Sequence, residues 1–137
     1  MSIDPRLHTP VYVQLADLLR TRIEAGELSP GSALPSEARL TQEHGIGREA
    51  VRMAISLLRS EGLVRTVRGH GSYVRERTER RSIELAAGSA AIARMPTGVE
   101  RRDLGLDEGV PVLEVRNAQG EVEILPGDET ELIRPPR

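Results

Sequence analysis

Two short helical patterns on either side of Gly45 constrain the fold of this chain more than any other feature of its sequence. Ser36 is of the residue type that caps a helix N-terminus, and the segment after it runs to about His44, where Gly45 can end the helix in the left-handed conformation. The second pattern runs from Arg48 to about Glu61 and stops at Gly62. Two short helices joined by a glycine-containing turn predict a helix-turn-helix.

A further helix and a β-hairpin are predicted before and after this pair. The first helix is expected to have Thr9 as its N-cap and Pro10 as its first residue, where the missing N–H of proline is harmless. After the third helix, residues 63–67 and 72–74 are β-prone segments, and the glycines within residues 68–71 permit a tight turn between them. Three helices followed by a hairpin predict a winged helix-turn-helix.

The third helix has two different faces. At about 100° per residue, one stripe is apolar and consists of Val51, Ala54, Ile55 and Leu58. The other stripe consists of Arg48, Arg52, Ser56 and Arg59. We expect the apolar stripe to pack and the arginine stripe to face outward, where arginine can donate two hydrogen bonds to guanine O6 and N7 or can contact phosphate. The alternative is an ordinary solvated helix face.

Charge is distributed unevenly along the chain. The 19 basic residues are all arginine and stand against 21 acidic residues, for a net charge of −2. Residues 1–81 carry 13 Arg and 10 acidic residues, whereas residues 82–137 carry 6 Arg and 11 acidic residues. The basic first part indicates an anionic partner. We expect a winged helix-turn-helix domain at 1–75, a charged linker at 76–81 and a small α+β module at 82–137.

The sequence lacks residues on which several classes of enzyme depend. It has no lysine for a Schiff base or a Walker-type phosphate site and no cysteine for thiol catalysis, disulfides or thiolate-bound zinc. Its histidines, His8, His44 and His70, belong to no recognisable catalytic motif. We expect no enzymatic activity, no cofactor and no metal. No signal-peptide pattern or membrane-spanning apolar segment occurs, so we expect a cytoplasmic protein without membrane association.

Six segments of the first half resemble the DNA-binding domain of the GntR family of bacterial transcriptional regulators. In chain order they read PVYVQL (10–15), GELSPG (26–31), LPSE (34–37), GIGREAVR (45–52), EGLV (61–64) and GHGSYV (69–74). The resemblance implies that the third helix enters the major groove of DNA and that the hairpin wing touches the adjacent minor groove or the backbone. The candidate DNA-binding residues are Ser36, Arg39, Arg48, Glu49, Arg52, Arg59, Arg68, Gly69, His70 and Gly71.

Three positions depart from the family pattern. Gly47 replaces the serine that usually precedes the recognition helix. Ala38 stands where arginine is frequent, although Arg39 follows it. Glu49 occupies a position where threonine or glycine is common, and its carboxylate can accept a hydrogen bond from cytosine N4 but also repels phosphate. We therefore expect an operator preference different from the family's usual sites. Separately, His70 lies at the predicted wing tip, where we expect either a contact with DNA or a turn histidine without a partner.

The second half predicts a small α+β module. Thr97 and Glu100 form a capping box for a short helix that ends near Leu106. Strands are expected at 111–116, 121–125 and 130–133, with one or two more within 82–93. Residues 104–116 resemble the opening of the UTRA ligand domain of the HutC subfamily. Because so small a module buries little apolar surface alone, we expect it to dimerise, with ligand binding or an interface to another protein as alternatives.

These features together predict a sequence-specific DNA-binding transcriptional regulator, a repressor. It is expected to bind double-stranded operator DNA as a homodimer and to act on the nucleoid, with a small-molecule effector left open. The alternative is a winged-helix module that serves protein assembly without specific DNA binding.

Overall fold

The chain divides into two compact units. The computed structural model describes residues 2–136, with one unit at Met1–Glu76 and the other at Arg77–Arg137. We call them the N-terminal unit and the C-terminal unit. The division falls within the charged segment 76–81, of which Arg81 already belongs to a strand of the C-terminal unit.

Three helices and a hairpin form the N-terminal unit. The elements are α1 (Val11–Glu24), α2 (Glu37–His44), α3 (Arg48–Ser60), β1 (Val64–Val67) and β2 (Gly71–Val74). The two strands pair antiparallel, with Val64 opposite Val74 and Val67 opposite Gly71. This order confirms the winged helix-turn-helix predicted from the sequence, with β1 and β2 as the wing.

An aliphatic core holds the three helices together. The buried residues of α3 are those of the predicted apolar stripe, Val51, Ala54, Ile55 and Leu58. They share one buried cluster with residues of α1 and α2, namely Leu15, Ala16, Leu18, Leu19 and Leu40. Tyr12 is partly buried against this cluster. Because α3 buries one face only, its other face remains open to solvent.

Capping interactions define the turn between α2 and α3. The Ser36 hydroxyl accepts a hydrogen bond from the backbone N–H of Arg39 at 3.1 Å, which confirms Ser36 as the N-cap of α2. Gly45 follows α2 with φ 63°, a conformation that favours glycine, and its N–H donates to the Thr41 carbonyl. Gly47 precedes α3 in an extended conformation without a side-chain cap. The turn therefore consists of residues 45–47 alone.

The predicted start of α1 is wrong by one position. Pro10, and not Thr9, is the N-cap: its backbone is extended, and its carbonyl accepts from the N–H groups of Val13 and Gln14 at 3.0 and 3.1 Å. The Gln14 side-chain amide donates to the carbonyls of Asp4 and Thr9, both at 2.8 Å. A side chain one turn along the helix thus holds the segment before α1, and the start of α1 has no side-chain cap.

The C-terminal unit combines one short helix with two small sheets. Its elements are β3 (Arg81–Glu84), β4 (Ala90–Arg94), α4 (Gly98–Leu104), β5 (Val112–Arg116), β6 (Val122–Pro126) and β7 (Thr130–Ile133). Strands β4, β5 and β6 form an antiparallel sheet in that order, while β3 and β7 pair in parallel. The strands and the α+β character agree with the sequence-based prediction, and α4 ends at Leu104, before the expected Leu106.

Polar contacts are prominent in the C-terminal unit. The predicted capping box of α4 is present, because the Thr97 hydroxyl accepts from the N–H of Glu100 and the Glu100 carboxylate accepts from the N–H of Thr97. The same carboxylate accepts two hydrogen bonds from Arg94, at 2.7 and 2.8 Å. This pairing lowers the pKa of Glu100 to about 2. A second carboxylate, that of Glu114, lies 3.5 Å from Arg94.

Few apolar side chains of the C-terminal unit are buried. The buried apolar residues of the described chain in this unit are Val110, Val112 and Leu125. The exposed large apolar residues are Ile92, Met95, Val99, Leu104 and Val122.

Within residues 2–136 no helix combines the length and the apolar character that a membrane crossing requires.

Candidate nucleic-acid interface

The outward face of α3 carries the arginines that the sequence singled out. Arg48 and Arg52 lie one turn apart, and their side chains are 72% and 55% exposed. Glu49 and Ser56 are exposed on the same helix. Since the opposite face of α3 is fixed in the core, this arginine face has one defined orientation in the unit.

A carboxylate from α2 joins the two arginines. Glu37 Oε1 accepts a hydrogen bond from Arg52 Nε at 3.1 Å, and Glu37 Oε2 lies 3.7 Å from Arg48 Nε. In the sequence, Glu37 is part of the family motif LPSE (34–37), but nothing there indicated its contacts with Arg48 and Arg52. The available signal was that Glu37 directly follows the helix-capping Ser36. A helix-turn-helix brings the start of α2 close to the start of α3, so a side chain at that position can reach the arginines of α3.

The other candidates on α2 face solvent. The Arg39 side chain is 74% exposed and lies 4.0 Å from the carboxylate of Glu43, one turn further along. Ser36 is exposed, and its hydroxyl oxygen already accepts the capping bond from the Arg39 N–H. The hydroxyl can still donate a hydrogen bond, which is the direction that a phosphate oxygen requires.

The wing presents its turn to solvent. Arg68, Gly69, His70 and Gly71 are all exposed. Gly69 has φ 82° and Gly71 has φ 107°, conformations that a residue with a Cβ rarely adopts. Space around both glycines is open, so a backbone of another molecule can approach closely. The Tyr73 hydroxyl donates to the His70 carbonyl at 3.4 Å, a contact that the sequence did not indicate.

Hydrogen bonds connect the wing to α3. Arg59 Nη1 donates to the Thr66 hydroxyl at 3.0 Å, and that hydroxyl lies 2.8 Å from the hydroxyl of Ser72. Arg59 was predicted to meet phosphate or solvent, and the structure adds a bond to β1 that no sequence rule indicated. The wing therefore has a polar attachment to the C-terminal half of α3.

A cleft of about 430 Å³ lies between the start of α2, α3 and the wing. It brings together five of the candidate residues, namely Ser36, Arg52, Arg59, His70 and Gly71. The other five, which are Arg39, Arg48, Glu49, Arg68 and Gly69, do not line it. No group of His, Asp or Glu side chains within residues 2–136 is arranged to hold a metal ion. The exposed arginines beside this cleft suit an anionic partner.

Most of the N-terminal unit matches a known family of proteins. Residues 11–74 match the family model described as bacterial regulatory proteins, gntR family. The mannosyl-D-glycerate transport/metabolism system repressor MngR of Escherichia coli (strain K12) is 44% identical over 69 residues, which make up 50% of this chain and 29% of that protein. The chain thus matches less than a third of the length of this relative.

Solved structures with the same fold include one bound to DNA. The structure of AraR(DBD) in complex with operator ORX1 is 32% identical, with a TM-score of 0.50, and the match covers 54% of this chain and 92% of that one. YtrA from Sulfolobus acidocaldarius, a GntR-family transcription factor, is 35% identical, with a TM-score of 0.51, and the match covers 55% of this chain and 79% of that one.

Proposed function

The N-terminal unit belongs to the gntR family of bacterial regulatory proteins, and from this premise we propose that the chain is a sequence-specific DNA-binding transcriptional regulator. The observation that carries the proposal is the exposed arginine face of α3 beside the wing, on a helix whose other face is locked in the core. The function is one of binding, without a catalytic step.

Helix α3 is the element that reads DNA in this proposal. The major groove is about 12 Å wide and admits an α-helix of about 10–12 Å diameter. Arg48 and Arg52 then face the base edges, where each can donate two hydrogen bonds to the O6 and N7 atoms of a guanine. Glu49, in the first turn of α3, is placed to accept from cytosine N4.

The remaining candidates contact the DNA backbone. Arg39 and Arg68 are exposed cations on α2 and in the turn of the wing, and contacts of such cations with phosphate position a protein on the duplex without reading its sequence. The Ser36 hydroxyl can donate to a phosphate. The open backbone at Gly69 and Gly71 allows the wing, with His70 at its tip, to approach the adjacent minor groove.

The chain acts as a repressor and as a homodimer in this proposal. The name of the similar Escherichia coli protein includes repressor, and the AraR domain was solved on an operator. The exposed apolar side chains of the C-terminal unit give a second copy an apolar surface to cover. A dimer would present two α3 helices to half-sites about 34 Å apart. In this proposal the protein acts in the cytoplasm, where the operator DNA lies.

Selection from a randomised DNA pool followed by fluorescence anisotropy tests this function. The full-length protein is expected to enrich one duplex and to bind it about 10³-fold or more tightly than a scrambled duplex. The double variant Arg48→Ala, Arg52→Ala should lose this preference. The control Arg102→Ala, Arg116→Ala removes the same charge from exposed positions of the C-terminal unit, and this control should keep the preference for the enriched duplex. Equal binding of both duplexes by the wild type would refute the proposal and favour the protein-assembly alternative.

A further inference from the structure

We propose that Glu37 is a positioning residue that holds Arg52 in the orientation needed to read guanine, and thereby sets how strongly the protein discriminates between DNA sequences. The proposal rests on the proposed function of α3. The Glu37 carboxylate lies between two exposed arginines that could attract DNA phosphates, and its negative charge weakens binding to DNA of any sequence. The proposal gives this carboxylate a role that offsets that cost.

The hydrogen bond between the two side chains uses one particular donor of Arg52. Glu37 Oε1 accepts from Nε at 3.1 Å, on the inner edge of the guanidinium. A guanidinium has five N–H donors, of which four are on the two Nη atoms. Those four stay available on a side chain that is 55% exposed. Guanine O6 and N7 accept from two parallel N–H groups, and the Nη pair has that geometry.

The backbone of Glu37 is well fixed. Glu37 is the first residue of α2, directly after the Ser36 cap, where the free N–H groups of a helix start interact favourably with a negative charge. Leu40, one turn along α2, is fully buried in the same cluster as Val51 of α3. The α2 backbone that carries Glu37 therefore has a defined position relative to α3. Among the described residues, no other carboxylate forms an ion pair with Arg52.

Two consequences of this arrangement have opposite signs. The ordered Arg52 side chain loses less conformational entropy when it binds a base, which strengthens binding to the correct sequence. The negative charge of Glu37, within 4 Å of both Arg48 and Arg52, weakens attraction to phosphates of any sequence. Removal of Glu37 should therefore strengthen non-specific binding and weaken discrimination, a combination that loss of a structural residue does not produce.

The test compares Glu37→Ala and Glu37→Gln with the wild-type full-length protein. The probes are the duplex that the wild type enriches and the same duplex with its guanines replaced by adenine and the partner cytosines by thymine. Glu37→Ala should bind the replaced duplex more tightly and lower the ratio of the two Kd values about tenfold. Glu37→Gln keeps a neutral acceptor for Nε and should lower the ratio less. The control Glu24→Gln removes the same charge at an exposed position of α1 and should leave the ratio unchanged.

A second pair of variants shows whether Glu37 acts through Arg52. In an Arg52→Ala background, Glu37→Ala should leave the Kd ratio unchanged, because the side chain that it orients is gone. The proposal is overturned if the wild-type ratio survives Glu37→Ala, or if the ratio falls equally in both backgrounds with the circular dichroism spectrum intact. A wild type that does not discriminate between the duplexes overturns the proposed function, and this proposal with it.

Discussion

Replacement of Leu58 by alanine is expected to destabilise the N-terminal unit by about 3 kcal/mol. Leu58 is fully buried on the inward face of α3, within the cluster that joins the three helices. Truncation of a buried leucine to alanine costs about 2–5 kcal/mol, because transfer free energy is lost and a cavity remains. A unit of this size has a total stability of about 4–11 kcal/mol, so the loss is a large fraction of it.

Urea denaturation followed by far-ultraviolet circular dichroism measures this effect. With a denaturant slope of about 1–3 kcal/mol per molar, the unfolding midpoint should fall by about 1–3 M. The control Ser56→Ala lies on the exposed side of the same helix and should change stability by less than about 0.5 kcal/mol. A loss below about 1 kcal/mol for Leu58→Ala would contradict the assignment of this face to the core, and with it the outward orientation of the arginine face.

Substitutions at three further positions test local interactions. Ser36→Ala removes the cap of α2 and should cost about 1 kcal/mol in the same urea titration, whereas Ser36→Gly should cost only a few tenths. In the C-terminal unit, the lowered pKa of Glu100 means that its pairing with Arg94 stabilises the fold above about pH 4.3, and that this contribution is lost as the pH falls toward 2. Glu100→Gln should therefore lower the melting temperature at neutral pH and flatten its acid dependence; an unchanged pH profile would exclude this linkage. Gly127→Ala should destabilise the unit, because a Cβ would lie 2.8 Å from the Pro111 carbonyl oxygen, and an unchanged melting temperature would contradict that clash.

Features that depend on neighbours in sequence were predictable. The period of the apolar residues predicted which four side chains of α3 are buried. The residue types at Ser36 and Gly45 predicted the ends of α2, since capping needs a side-chain oxygen within one turn and a left-handed residue favours glycine. The capping box at Thr97 and Glu100 followed from the same local rule.

Features that depend on distant contacts were not predictable. The bond between Glu37 and Arg52 joins residues 15 positions apart and depends on how α2 meets α3. The parallel pairing of β3 with β7 joins the two ends of the C-terminal unit and leaves no periodic signal in either strand. The segment before α1 is likewise held by a non-local contact, because the Gln14 side-chain amide donates to the carbonyls of Asp4 and Thr9.

Base reading by α3 is tested most directly by removing a single acceptor atom from the DNA. In the duplex that the wild type enriches, each guanine is replaced in turn by a deazaguanine that lacks the N7 acceptor, and the Kd is measured for the wild type and for Arg52→Ala. At the guanine that Arg52 contacts in a half-site, the wild type should lose about 1–3 kcal/mol, or about five- to 150-fold in Kd, while Arg52→Ala should lose nothing further. Equal losses for both proteins at every guanine would contradict the reading of bases by Arg52.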